Sequence, residues 1–349
     1  MTTTRSAPQV RPPAADGAAL EVRNVTRTFR TRRGGPLRAL DGVDLAVRPG
    51  ELVGLLGLNG AGKTTLLKII ATLLTPTTGS VHVCGHDAVR DPRAAQRRLA
   101  VVLGGDRGLY LRLSAHDNLE FFALLTGVRG RELARRSAAA LAAVGLTKAA
   151  DRPVETYSKG MRQRLHLAIG MVTRPDLLLL DEPTVGLDPA EAQNIRTAVA
   201  HMRDEGTAIL LTSHDLNDID QLAERVVVLH HGRVLHDLPL PRLLERAETA
   251  AVVTLHGRGR PPAAPSHRDP DGQTWVERIE PTASGWTMTL HVRTWTPDSL
   301  RELAASWPEG QISEVRVTPS SLQQVFNELA DETGAQRLPA VAAGTASGS

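Results

Sequence analysis

Gly57-Leu58-Asn59-Gly60-Ala61-Gly62-Lys63-Thr64-Thr65 constrains the fold more than any other stretch of this sequence. It matches the phosphate-binding pattern GxxxxGK(S/T), which has meaning only between a strand and a helix. Both flanks comply. Leu52-Val53-Gly54-Leu55-Leu56 is a short apolar run ending at glycine, which predicts a buried strand, and residues 63–74 read as a helix. Glycines let successive backbone N–H groups turn inward to cradle phosphate oxygens. The helix beginning near Lys63 adds the positive end of its dipole. In such a loop Lys63 neutralises the β- and γ-phosphates of a nucleotide, and Thr64 ligates Mg²⁺.

A second motif fits the first. Leu177-Leu178-Leu179-Leu180 predicts another buried strand, and Asp181 and Glu182 emerge at its C-terminal end. Open α/β sheets bind ligands at that edge. Asp181 is a candidate Mg²⁺ ligand, directly or through water. Glu182 is placed to take a proton from the attacking water or to orient it. Ala208–Leu211 predicts a further buried strand. Each of these strands leads through polar residues into a helical stretch, which predicts a parallel sheet covered on both faces. Alternation at Leu20, Val22, Val25, Leu45 and Val47 predicts an antiparallel β region. Arg225–Leu235, with His231-Gly232 between two apolar runs, reads as a β-hairpin. These features together describe a P-loop nucleotide hydrolase of the α/β class.

Other residues choose among the many such families. Tyr157-Ser158-Lys159-Gly160-Met161-Arg162-Gln163-Arg164 resembles the signature sequence of ATP-binding cassette (ABC) ATPases. Gly186-Leu187-Asp188-Pro189 resembles that family's D-loop. His214, in Leu211-Thr212-Ser213-His214-Asp215, resembles its switch histidine. Phe29 stands where the family carries an adenine-stacking aromatic. The resemblance spans about residues 20–240, with the motifs in the family's order and spacing, and YSKGMRQRL resembles the drug- and antibiotic-export branch.

The resemblance implies a RecA-like core with an antiparallel β subdomain and a helical signature subdomain over about 88–172. It implies ATP and Mg²⁺ as ligands. Phe29, residues 57–65, Ser158, Gly160 and Asp188 are its expected nucleotide contacts. Glu182, His214 and Lys63 are its expected catalytic residues, and Thr64 and Asp181 its expected metal ligands. Ser158 and Gly160 open a helix and so form a second anion site, which in the family faces the γ-phosphate held by the other subunit. A head-to-tail homodimer enclosing two ATP molecules is therefore expected, driving a separately encoded membrane permease from the cytoplasmic face.

Two departures stand out. Met161 replaces the Gln that ends the usual signature. The Gln expected after the strand Ala100–Leu103 is missing, and Gly104-Gly105-Asp106-Arg107 stands there. Asp106 is the nearest oxygen donor and a third candidate Mg²⁺ ligand, while the same two charged residues also read as a solvated turn.

With 349 residues, two domains are expected. The reading is a tail over 1–18, a nucleotide-binding domain over 19–248, a small α+β accessory domain over 249–334 and an Ala/Gly/Ser-rich tail over 335–349. The Pro/Gly-rich GRGRPPAAPSHRDPDG marks a loop. Strand-like TWVERIE, WTMTLHVRT and ISEVRVT flank a helical PDSLRELAASW, and a last helix covers SSLQQVFNELADE. SSLQQVFNEL resembles the end of accessory domains on export-type cassettes.

A single Cys, Cys84, excludes a disulfide framework or multi-Cys metal site. A net charge of +3 does not mark a nucleic-acid binder, although residues 1–40 are rich in Arg. That segment reads as a solvated arm or as one attracted to an anionic membrane surface. No apolar run approaches the ~18–20 residues of a membrane-spanning helix, and the N-terminus lacks the apolar stretch of a secretion signal. The expected location is peripheral. Competing readings are a soluble cassette ATPase acting on ribosomes or DNA, and an ATP sensor that does not hydrolyse. The first lacks its usual tandem cassettes or coiled-coil insertions, and intact Lys63, Asp181, Glu182 and His214 argue against the second.

Overall fold

The structure is a computed structural model. It describes residues 17–30, 35–103, 108–213, 215–245, 251–259, 274–282, 285–293, 299, 301, 311–319 and 321–326. Both expected tails lie almost wholly outside the described residues, as do Asp106 and His214. The chain divides into two compact units, Met1–Leu240 and Pro241–Ser349.

In the first unit, β1 (Leu20–Phe29), β2 (Leu37–Val47), β4 (Thr78–Val83) and β5 (His86–Asp87) form an antiparallel sheet in the order β2-β1-β4-β5. The register pairs Leu20 with Val47 and Val22 with Leu45, so the alternating apolar residues share the inner face. The strands of the second sheet are β3 (Leu52–Leu56), β6 (Leu99–Leu103), β7 (Leu177–Asp181), β8 (Ala208–Thr212), β9 (Arg225–His230) and β10 (Arg233–Pro239). They lie in the order β10-β9-β3-β8-β7-β6. All neighbours in this sheet are parallel except the β9–β10 hairpin. β3 and β8 are buried along their whole length, as expected of parallel strands covered on both faces.

Helix α1 (Lys63–Ile70) leaves β3 through the glycine loop. Leu66, Leu67, Ile69 and Ile70 are buried and join one core cluster with Val22, Val25, Leu45 and Val81 of the antiparallel sheet and Val53, Leu55, Leu177 and Leu179 of the parallel one. Burying an aliphatic side chain of this size stabilises by about 1.5–3 kcal/mol, so α1 fastens the two sheets together. The helix ends at Ile70, four residues earlier than expected. Thr72 adopts a left-handed φ of 62°, and the Leu73 and Leu74 N–H groups both turn back to the Lys68 carbonyl.

Helix α2 (Pro92–Arg98) starts from an Asp91 cap with Pro at its first position and feeds β6. Then α3 (Ala115–Leu125), α4 (Gly130–Ala143) and α5 (Lys159–Val172) pack on one another as a helical subdomain. Ser114 and Asp117 form a capping box at the start of α3. Helices α6 (Pro189–Asp204) and α7 (Leu216–Leu222) follow β7 and β8, and α8 (Leu240–Leu244) follows β10.

The second unit contains an antiparallel sheet of β11 (Ala251–Arg258), β12 (Thr274–Thr282), β13 (Gly285–Val292) and β14 (Ile312–Pro319). Their order is β12-β13-β11-β14. Val253, Leu255, Trp286, Met288, Leu290 and Val292 form its core. Strand β11 was not anticipated. Its inward residues are Ala251, Val253 and Leu255, and the Pro/Gly-rich run beside it dominates the local composition. Of the helical PDSLRELAASW only Ser299 and Arg301 are described, both helical. The last helix is described from Leu322 to Phe326. Among the described residues no helix is long and apolar enough to cross a membrane.

Candidate functional site

The loop between β3 and α1 is built for close approach. Gly60 and Gly62 have φ of 82° and 108°, which side chains rarely adopt. A Cβ on Gly62 would lie 2.6 Å from the Ala39 carbonyl oxygen. On Gly57 it would meet the Leu229 carbonyl, so this loop is wedged against β2 and β9. The Gly232 N–H donates to the Ala61 carbonyl at 2.9 Å, fixing the β9–β10 turn to the same loop. Gly62 caps α1 without any side-chain hydrogen bond, and no acid sits in the first turn. The first N–H groups of a helix have no acceptor within it. Uncapped here, they present a donor set suited to a phosphate. Gly57 is buried, Leu58, Gly62 and Thr65 are half-buried, and Asn59, Gly60 and Thr64 are exposed.

Lys63 is 8% exposed, and its Nζ donates to the carbonyls of Gly57 and, at 3.3 Å, Leu58. Burial pushes its ammonium below the usual lysine value, and the carboxylates of Glu182 and Asp181 oppose that shift. The structure thus brings Lys63 into the field of both acids. The Asp181 Oδ1 accepts from the Thr212 hydroxyl at 2.6 Å, and the Glu182 N–H donates to the Thr212 carbonyl at 2.9 Å. Glu182 has a left-handed φ of 54°, an uncommon conformation that only a well-determined surrounding holds. Among the described residues no cluster of three metal-ligating side chains occurs. A cation at Thr64 and Asp181 would have phosphate and water oxygens available to complete its shell, as Mg²⁺ commonly does.

A second group stands on α5 and α6. The Ser158 side chain caps α5 by accepting from the Met161 N–H at 3.1 Å. Asp188 caps α6 by accepting from the Glu191 N–H at 2.8 Å, with Pro189 at the first helical position. Ser158 and Asp188 are exposed, and Gly160 is buried against the Glu191 carboxyl group. Arg164 pairs with Glu191 at 2.9 Å and donates to the Val144 carbonyl at 3.1 Å. The two helix starts are thereby tied to each other. Phe29 ends β1 half-buried, with the Arg27 guanidinium 4.7 Å from its ring centroid.

Several residues at this edge were not anticipated. Thr212, Thr184, Ser213, Asp218 and Arg196 form buried polar contacts behind the acids. The polar run after β8 was the only available signal, because burial of a carboxylate in α7 leaves no local mark.

Residues 40–185 match the family described as ABC transporter. The ABC transporter ATP-binding protein NatA of Bacillus subtilis (strain 168) is 37% identical over 209 residues, covering 60% of this chain and 85% of NatA. The daunorubicin/doxorubicin resistance ATP-binding protein DrrA of Streptomyces peucetius is 43% identical over 198 residues, covering 57% of this chain and 60% of that protein. A solved ATP-binding subunit of an ABC transporter superposes with a TM-score of 0.59 at 29% identity, covering 64% of this chain and 91% of that one. A dimeric post-hydrolysis state of the ATP-binding cassette MJ0796, bound to ADP and Pi, superposes with a TM-score of 0.57 at 26% identity, covering 63% of this chain and 98% of that one. The glycine loop, the acid-tipped parallel strand and these relatives lead to one assignment: the chain belongs to the ABC transporter family of ATP-binding proteins and, within it, resembles the drug-resistance branch.

Proposed function

We propose that two copies of this chain enclose two ATP molecules, hydrolyse them, and drive export of a small drug- or lipid-like molecule through a separate membrane permease. The observation that supports the reading is topological. The glycine loop carrying Lys63 leaves the C-terminal end of β3, and Asp181 and Glu182 stand at the C-terminal end of β7, both strands running parallel to β8. Residues 57–65 hold the phosphates, with Lys63 returning its charge from the Gly57 and Leu58 carbonyls to phosphate oxygen. Thr64 and Asp181 would hold Mg²⁺, which when bound would neutralise phosphate charge. Glu182 takes the proton of the attacking water. His214 contacts the γ-phosphate, and Asp106 contributes a carboxylate on the metal side; both lie outside the described residues. Phe29 stacks on adenine. Ser158, Gly160 and Asp188 serve the nucleotide of the opposite subunit.

The relatives support export by analogy, since the DrrA proteins are named for resistance to daunorubicin and doxorubicin. Exposed apolar side chains on residues 103–125 support a protein partner. They include Leu103, Tyr110, Leu111, Leu113, Leu124 and Leu125. Residues 249–334 act as an accessory domain outside the nucleotide chemistry. The test is Glu182→Gln, which keeps size but removes the proton acceptor. ATP binding stays within about threefold of the parent, phosphate release falls at least about 100-fold, and ATP with Mg²⁺ now yields a stable dimer by size exclusion. Parental turnover by a monomeric variant would remove the base assignment.

A further inference from the structure

One carboxylate ties together three catalytic segments from behind. Asp218, in α7, has no solvent exposure. Its Oδ2 accepts from the Thr184 hydroxyl and, at 2.8 Å, from the Ser213 hydroxyl. Its Oδ1 accepts from Arg196 at 2.8 Å. Each partner belongs to a different part of the machinery. Thr184 is two residues past Glu182. Ser213 immediately precedes His214. Arg196 lies in α6, the helix capped by Asp188.

A buried charge is costly unless it is paired and fully hydrogen-bonded. Asp218 meets that demand with one cation and two hydroxyls, and Thr184, Ser213 and Arg196 are themselves buried. The hydrogen-bond directions are fixed. Ser213 Oγ accepts from the Asp215 N–H at 3.0 Å and so donates its proton to Asp218. That places one hydroxyl across the backbone on both sides of position 214. The Thr184 hydroxyl donates to the same carboxylate oxygen, so a shift of either segment changes the bond available to the other. On the Thr184 side, the loop also carries the left-handed Glu182 and is closed by the Leu187 N–H to the Thr184 carbonyl at 3.1 Å.

We propose that Asp218 is a positioning residue for hydrolysis, holding the segments that carry Glu182, His214 and Asp188 in a fixed mutual register through Thr184, Ser213 and Arg196. It touches no reacting atom. The proposal rests on reading Glu182 as the base and His214 as the γ-phosphate contact.

The test uses the full chain and measures ATP affinity, phosphate release and thermal midpoint in parallel. Asp218→Asn leaves Arg196 without its counter-charge and is expected to lower the midpoint. The double variant Asp218→Asn with Arg196→Met removes that mismatch and is expected to recover the midpoint. It should keep ATP affinity within about threefold, yet release phosphate at least tenfold more slowly than the parent. A cycle between Thr184→Val and Ser213→Ala supplies a readout that loss of packing alone does not move. Each single variant is expected to slow turnover at least threefold, and the pair by much less than the product of the two. The proposal is overturned if turnover recovers together with the midpoint in the double variant, or if the two hydroxyl deletions multiply independently. Glu182→Gln, run alongside, separates the two failures. If it keeps parental turnover, the base reading is wrong. If it loses turnover while the Asp218 variants keep theirs, only the register role is wrong.

Discussion

At Lys63 the proposed grip on phosphate is set against the cost of burying an ammonium group. Its ammonium lies almost entirely out of water, with two carbonyls as acceptors and two carboxylates in its field. Burial dominates and lowers its proton affinity. In the alkaline range just below lysine's ordinary value, the folded chain therefore binds fewer protons at this site than the unfolded chain. Stability contributed by this group rises with pH there, and its cost is fully present at neutral pH. Lys63→Met is accordingly expected to keep or raise the thermal midpoint of the nucleotide-free protein while weakening ATP binding at least tenfold. A variant that loses both would show that Lys63 is held for structure. Residues 57–65, Asp181 and Glu182 were legible in the sequence because their pattern is local. Asp218, Thr184 and Arg196 were not, because their contacts join positions 22 and 34 residues apart and depend on how α6 and α7 pack.

At the scale of elements, the Arg164–Glu191 pair carries the link between the starts of α5 and α6. The side chains are 12% and 23% exposed, between a buried pair and a surface one. Gly160 makes room for the Glu191 carboxyl group, since a Cβ there would lie 2.7 Å from Glu191 Cδ. Glu191→Gln leaves Arg164 with the Val144 carbonyl and a neutral partner. The expected loss is about 1–2 kcal/mol, between the ranges for exposed and buried pairs, read as a shift in the urea midpoint at constant slope. A loss below about 0.3 kcal/mol would put the link elsewhere. The elements themselves were mostly legible. Apolar runs predicted β3, β7 and β8, and the His231-Gly232 turn predicted the β9–β10 hairpin, which the structure contains. The C-terminal end of α1 was not legible. The apolar sequence continues through Leu73 and Leu74, while the chain already turns at the left-handed Thr72.

At the scale of the whole molecule, the chain holds two units with separate cores. The phosphate-binding loop, the acids and both helix caps lie before Leu240, within the first unit. The second unit has its own four-stranded sheet, packed around Trp286. All four tryptophans, Trp275, Trp286, Trp295 and Trp307, belong to this second unit, while both tyrosines, Tyr110 and Tyr157, belong to the first. Tryptophan emission is therefore a natural reporter of the second unit alone. A ligand that binds only the folded form stabilises it by RT ln(1 + [L]/Kd), about 2.7 kcal/mol at 100-fold excess over Kd. If residues 249–334 take no part in nucleotide chemistry, that gain goes to the first unit. Thermal unfolding followed by tryptophan emission is then expected to keep its midpoint when ATP and Mg²⁺ are added to the Glu182→Gln protein. Unfolding followed by tyrosine absorbance or far-ultraviolet dichroism is expected to move up by several degrees under the same conditions. If both signals move together by the same amount, the units unfold as one and the accessory-domain reading is wrong.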